Sequence, residues 1–513
     1  MPRYKLIQGD DHFYAILWRQ KIYKHYILIA IVGSVVQFIL FKLLYPYADF
    51  FSDSYSYISA AALHREVSVW PIGYSKFMEF IHEITPSDTA LVALQYALVV
   101  ISMLYFFLST LYFLSPSRKT SIVIFIFLFF NPLILYLCNY VSSDALFLAV
   151  SLAWFTQLVW IIYRPSLFGV FMNAILIAVA FTIRYNAAYY PFVAIVALLL
   201  SKTRWYLKVA GILFPFALVA FFMIYTREKA YELSGIRKFS AFSGWQLANN
   251  ALYMFPHLPK EQYKVPAGCE QLHVGVKTYF DTIDARTADL APVDGSVYIQ
   301  LAYLPLKKYV FQFWEGRQPP NELAGWAAVS PTYAAYGTFL IKKYPGAFLR
   351  YYVMPNAVNY LYPPLEKLQL YNSGQNVVGP LAREWFRYKS EVARTYSKQM
   401  QGTVLFFLPT IFFLCNLFLL GGFIWLFVSG RGSLLNNPFK KYCVLAGAFA
   451  LLNCLFSILA SPVVLRYQVM PLILLFMLSA LMIEVFERPD ESYLIDRDVF
   501  RDNSIRNLEA EVV

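Results

Sequence analysis

Charge is scarce in this 513-residue chain. Asp, Glu, Lys and Arg make up only 14% of it, while 59% is hydrophobic and the mean hydropathy is +0.50. An ordinary soluble protein carries about 25% charged residues. That deficit excludes a typical cytosolic enzyme, and the apolar excess excludes intrinsic disorder. Cysteine is also scarce. None of Cys138, Cys269, Cys415, Cys443 and Cys454 belongs to a CxxC pair, so neither a disulfide framework nor a zinc knuckle is indicated. P-loop, HExxH, GxSxG and dinucleotide fingerprints are all missing. No internal repeat of the kind that builds many transporters is visible.

Long apolar runs are what the chain has in quantity, several of them beyond the ~18 residues that mark a membrane-spanning helix. The hydropathy pattern predicts an all-α polytopic membrane protein of about ten transmembrane helices, within a range of ten to twelve. The spans fall at about 26–45, 88–114, 120–138, 143–163, 166–184, 185–200, 206–226, 403–428, 440–460 and 468–486. Their connections alternate in charge, with fourteen Lys and Arg on one side against four on the other. By the positive-inside rule the N-terminal segment 1–25 and the tail 487–513 are cytoplasmic. The net charge of +12 is read the same way, as orientation and not as affinity for nucleic acid. Residues 1–25 are polar and basic and the apolar run after them is long enough to span, so no cleavable signal peptide is expected.

This topology divides the chain into a seven-span module (26–226) whose first outer loop is 46–87, a large outer region (227–401), and a three-span module (402–486). The outer region is too long for a bare loop and is expected to fold as a mixed extracytoplasmic domain. Its apolar stretches near 296–313 and 333–362, interrupted by Pro305, Pro345, Pro355 and lysines, are read as interfacial or packed helices and not as spans.

Polar residues then collect on one face. The first outer loop holds Asp49 and Asp53, the fourth span opens with Ser143-Asp144, the fifth and sixth meet at Arg184-Tyr185-Asn186, and the ninth and tenth meet at Arg466-Tyr467. Ionisable groups at membrane depth are costly unless they are paired or line a polar cavity, which makes them site candidates. Each also has a bland reading. Asp53 suits the N-cap of a short helix over about 54–64, Asp144 a helix dipole, and the two arginines snorkelling to headgroups. His64 and His82 read as surface residues, and His64, His257 and His273 have no metal-ligand spacing. Taken together, a carboxylate that can act as general base and arginines that can hold a phosphate suit glycosyl transfer from a polyprenyl-phosphate sugar.

Asp53-Ser54-Tyr55-Ser56-Tyr57-Ile58-Ser59-Ala60-Ala61 followed by Trp70-Pro71-Ile72-Gly73-Tyr74-Ser75 resembles the first outer loop of GT-C membrane glycosyltransferases, which include protein O-mannosyltransferases and the aminoarabinose transferase of lipid A. Asn131-Pro132 with Ser143-Asp144-Ala145-Leu146-Phe147, Arg184-Tyr185-Asn186 with Pro191, and Arg466-Tyr467 resemble three further motifs of that superfamily, in the same order. The resemblance covers roughly 26–226 and the late motif, whereas 227–401 matches no family pattern; its Phe242–Asn250 stretch is a candidate to return to the site. It implies an inverting transfer to an extracytoplasmic acceptor (glycolipid, glycan or protein), with Asp53 as general base and Asp49 as its rival. It further implies that Asp144 orients the acceptor or helps bind a divalent metal, that Arg184 and Arg466 contact the donor phosphate, and that Tyr57, Tyr185, Asn186 and Tyr467 contact substrate.

Two rival classes stand beside it. A flippase or transporter of lipid-linked saccharides predicts midplane charges and pseudo-symmetric halves. A ligase or polymerase of the O-antigen type, using a diphosphate-linked donor, predicts a dense arginine run; residues 227–401 hold 20 Lys and Arg against 13 Asp and Glu without one. A nucleotide-sugar donor is not expected, since no predicted cytoplasmic segment could house a nucleotide-binding domain. The expected setting is a bacterial inner membrane with the site facing the periplasm, its partners being the lipid-linked donor, the acceptor and membrane lipids.

Overall fold

The computed structural model describes residues 13–259, 264–283, 290–487 and 494–495. The segment 1–12 and most of the predicted tail lie outside the described residues. Eight helices are long and apolar enough to cross a membrane: Lys21–Leu44, Asp88–Leu114, Arg118–Asn139, Ser143–Tyr163, Trp205–Ser234, Met400–Val428, Asn437–Ala460 and Val469–Glu487. The chain is an all-α integral membrane protein. Two shorter apolar helices, Leu167–Ile183 and Tyr185–Leu200, occupy the stretches predicted as the fifth and sixth spans.

Burial ranks these helices. In Val469–Glu487 and Ser143–Tyr163, 83% and 72% of the apolar window is covered by protein, against 17% in Lys21–Leu44 and 11% in Trp205–Ser234. The first two are central and the last two peripheral. An apolar side chain on a peripheral span needs no protein partner, because lipid takes that role. The Arg118–Asn139 span breaks where Pro132 removes a backbone donor. Asn131 caps the second half by accepting from the Leu133 amide, and Gln37 donates to the Phe129 carbonyl at 2.9 Å, so two of the groups freed by the break find side-chain partners.

Two expectations are corrected. The helix Trp205–Ser234 runs eight residues past the predicted span end at 226 and stops at Gly235, whose φ of +70° is left-handed. Arg227, Glu228, Lys229 and Glu232 end the hydropathy signal without ending the helix. The large region after it is not mixed. Among the described residues it is helical and turn-rich, with one isolated bridge, Val377–Val392, in place of any strand. Its two principal helices, Phe242–Leu252 and Glu322–Lys343, cross tightly: a Cβ on Gly244 would meet the Ser330 carbonyl oxygen at 2.0 Å, so only glycine permits the contact.

The loop 46–87 carries two short helices, Ser52–Ala62 and Gly73–Ile84. Their apolar faces form a small core with Val378, Ala382 and Phe386 from the large region. A Cβ on Gly73 would stand 2.7 Å from the Thr182 carbonyl oxygen, so glycine also lets this second helix reach the end of Leu167–Ile183, beside Arg184.

Candidate active site

Five chain segments converge at one end of the helical bundle. Ser142 caps the span Ser143–Tyr163 and places Asp144 in its first turn. Arg184 ends the helix Leu167–Ile183 in extended conformation, and Arg466 sits on the tight turn Leu465–Tyr467. That turn is pinned by a bond from the Leu465 amide to the Pro364 carbonyl, 2.9 Å, and this contact also delivers Glu366. Asp53 arrives from the helix Ser52–Ala62.

Asp144 is the hub. Its two oxygens meet Arg184 Nη1 and, at 3.5 Å, Arg466 Nη1; Ser142 Oγ donates to the second oxygen at 2.5 Å. The Asp144 side chain is 4% exposed, so its charge persists there only because two guanidiniums neutralise it. Arg466 Nε lies 3.3 Å from Glu366 Oε2. The Tyr467 ring stands between the two arginines, each guanidinium 4.6 Å from its centroid, and Arg466 Nη2 donates to the Tyr467 hydroxyl at 2.7 Å. A tyrosine in that position offers both cations its π surface.

Asp53 is different in kind. It forms no ion pair among the described residues; its one side-chain bond is from Ser52 Oγ at 3.3 Å. It is partly exposed, and it lies in the field of Arg466, Asp144, Arg184 and Glu366. Burial pushes its carboxyl above the ordinary range, Arg466 pulls it down and Asp144 adds to the rise. The N-cap reading fails here. Asp53 is already inside the helix, and the nearby cap bond runs from the Phe51 amide to Ser54 Oγ.

Asp49 stands apart from the arginines. It is 1% exposed, and its Oδ1 accepts from the Asn372 amide at 2.7 Å. Its backbone pairs with the strand-like stretch before Ser142, giving to the Asn139 carbonyl and taking from the Val141 amide. Burial pushes its carboxyl far above the usual range. These contacts make Asp49 a fastener between the first loop, the fourth span and the 372 turn.

Of the other predicted residues, Tyr57 is buried beside the hub, its hydroxyl 3.0 Å from Ser143 Oγ. Tyr185 and Asn186 lie on the turn after Arg184; the Tyr185 ring packs on Phe239 at 4.5 Å, and Asn186 makes no side-chain hydrogen bond among the described residues. The Phe242–Asn250 stretch does not enter the cluster. Asn250 instead donates to the Leu459 and Ala460 carbonyls, and Asn356 to those of Ile458 and Ser461, so buried amides close the end of the span that leads to Arg466.

Glu366 is the residue that sequence reasoning missed. It follows Pro363-Pro364 in a stretch of no evident pattern and is held at φ +50°, a strained conformation for a non-glycine residue. The positive φ is visible only in three dimensions. A divalent cation does not fit this arrangement: both Asp144 oxygens are taken, Glu366 is paired with Arg466, and no three His, Cys, Asp or Glu side chains are grouped so as to hold a metal ion among the described residues. Two of the outer histidines are engaged elsewhere, His64 with Glu79 at 2.7 Å and His273 with the Tyr336 hydroxyl at 2.9 Å, and His82 stacks on Trp385. No protein-family model, curated protein or solved structure matches the chain.

Proposed function

We propose that the protein is an inverting membrane glycosyltransferase of the GT-C type, using a polyprenyl-phosphate sugar as donor and an acceptor on the extracytoplasmic side. One observation carries this reading. Of the three carboxylates around Arg184 and Arg466, Asp53 alone has no ion pair among the described residues; it is partly exposed, at a bundle end where a lipid tail could remain among apolar helices.

In this mechanism an acceptor hydroxyl gives its proton to Asp53 as its oxygen attacks the anomeric carbon from the face opposite the phosphate. The bond between that carbon and the phosphate oxygen breaks, and polyprenyl phosphate leaves with the electron pair. Arg184 and Arg466, each with five N–H donors of which only some are engaged by carboxylates, take up the growing negative charge. Asp144 and Tyr467 keep the guanidiniums in place while this happens.

The test is donor turnover by full-length protein in detergent. A panel of polyprenyl-phosphate sugars is offered and released polyprenyl phosphate is read by mass spectrometry, for wild type and Asp53→Asn. Release by wild type and none by the variant is expected. Equal release by both removes Asp53 from the role, and no release from any donor turns attention to lipid scrambling in vesicles.

A further inference from the structure

A second polar and aromatic surface is joined to the first through the same helix. On Ser52–Ala62, Ser56 lies three residues beyond Asp53 and so on the same face. Its hydroxyl donates to Glu322 Oε1 at 2.5 Å, at the start of the helix Glu322–Lys343. One turn further along, Trp326 packs its ring 4.4 Å from Trp245 and 6.4 Å from Trp70. The Lys307 ammonium lies 4.5 Å from the Trp326 ring and 5.1 Å from Trp245.

Trp245 is sealed in the core at 1% exposure, and Phe242 packs on Trp70 and Trp326 at 4.7 and 5.9 Å, but Trp70, Trp326 and Lys307 each stay partly exposed. Trp245 uses its N–H on the Trp326 carbonyl at 2.9 Å, but Trp70 Nε1 is buried with no hydrogen-bond partner among the described residues. A buried N–H without an acceptor is expensive and rare, and it marks a place where a ligand or water oxygen belongs. Burial also lowers the Lys307 pKa, so that ammonium gains from any additional acceptor.

We propose that Trp70, Trp326, Lys307 and Glu322 form an acceptor subsite that takes a sugar ring, making the acceptor a saccharide or glycolipid. This rests on the transferase reading above. The apolar C–H face of a pyranose lies on an indole, while its hydroxyls accept from Lys307 and donate to Glu322. Three residues of one helix and four of the next place the subsite on the order of 10–15 Å from Asp53, so the ring held here is not the one that reacts.

The experiment uses full-length protein, the sugar-labelled polyprenyl-phosphate donor that wild type hydrolyses, and the glycan and glycolipid fraction of the source cell envelope as acceptor. Trp326→Ala should raise the acceptor concentration for half-maximal transfer about tenfold, while acceptor-independent donor hydrolysis persists. Trp326→Phe, which restores a ring, should recover most of the loss. Unchanged transfer by Trp326→Ala overturns the subsite, as does a loss that phenylalanine does not repair or one that takes hydrolysis with it. If wild type hydrolyses no donor, it is the transferase reading that fails, which is a separate result.

Discussion

The helix Val469–Glu487 has charged groups near both of its ends, and their surroundings differ. Near its C-terminal end Glu484, 7% exposed, takes the Ser117 amide with both oxygens at 3.0 Å, and Lys119 pairs with Glu487 at 2.9 Å. There the buried acid is taken by a backbone amide and the exposed one by a lysine. Just before its start, Arg466 forms ion pairs with Asp144 and Glu366, while Asp53 has none among the described residues. An unpaired carboxylate in poorly solvated surroundings costs stability. The contrast teaches where to look: both ends bury acids, and only one keeps an acid uncommitted beside cations.

Several measurements can break or sharpen that contrast. The largest effect is expected at Asp53: Asp53→Asn should lower turnover by about 10²–10⁴-fold, the usual contribution of a general base, while thermal unfolding shows no loss of stability. Arg466→Gln comes next, at about 10²–10³-fold in turnover, with the donor concentration for half-maximal rate rising as well. Equal turnover by either variant and wild type would remove the site end's special status.

The pH profile follows in size. Because the folded protein holds the Asp53 proton to higher pH than an unfolded chain, this group's stabilising contribution is present below the ordinary carboxylate pKa. It is lost as pH rises through the raised value. The base form appears over the same window, so turnover should climb while stability declines; a rate already flat across that range in wild type would contradict the assignment. Glu484→Gln is the control at the other end. It should cost about 0.5–1.5 kcal/mol in stability, since a Gln oxygen still accepts from the Ser117 amide and only the second contact is lost, and leave turnover intact. Asp49→Asn should have the smallest effect, since an amide oxygen can still accept from Asn372 and the residue faces no arginine. A loss of turnover there as large as at Asp53 would promote the rival base.

Much of the architecture was legible beforehand. The apolar runs marked all eight long helices, because lipid selects composition over a local window of about twenty residues. Motif positions such as Ser143-Asp144 and Arg466-Tyr467 were legible too, since span ends bring such residues to one level. The Trp205–Ser234 overrun was not, because hydropathy reports the membrane boundary and not the helix boundary. Glu366 was invisible for another reason: its place depends on the Leu465–Pro364 contact, between residues about a hundred apart in sequence.

By itself, then, the sequence determined that this is a helical membrane protein and that Asp53, Asp144, Arg184 and Arg466 share one end of it. Those are consequences of local hydropathy and of helix periodicity. Only the tertiary structure decided which acid is bound and which is free: Asp144 locked between two arginines, Asp49 spent on Asn372, Asp53 left open. Ion pairs between residues 40 and 322 positions apart depend on how spans pack against each other, and no local window contains that information.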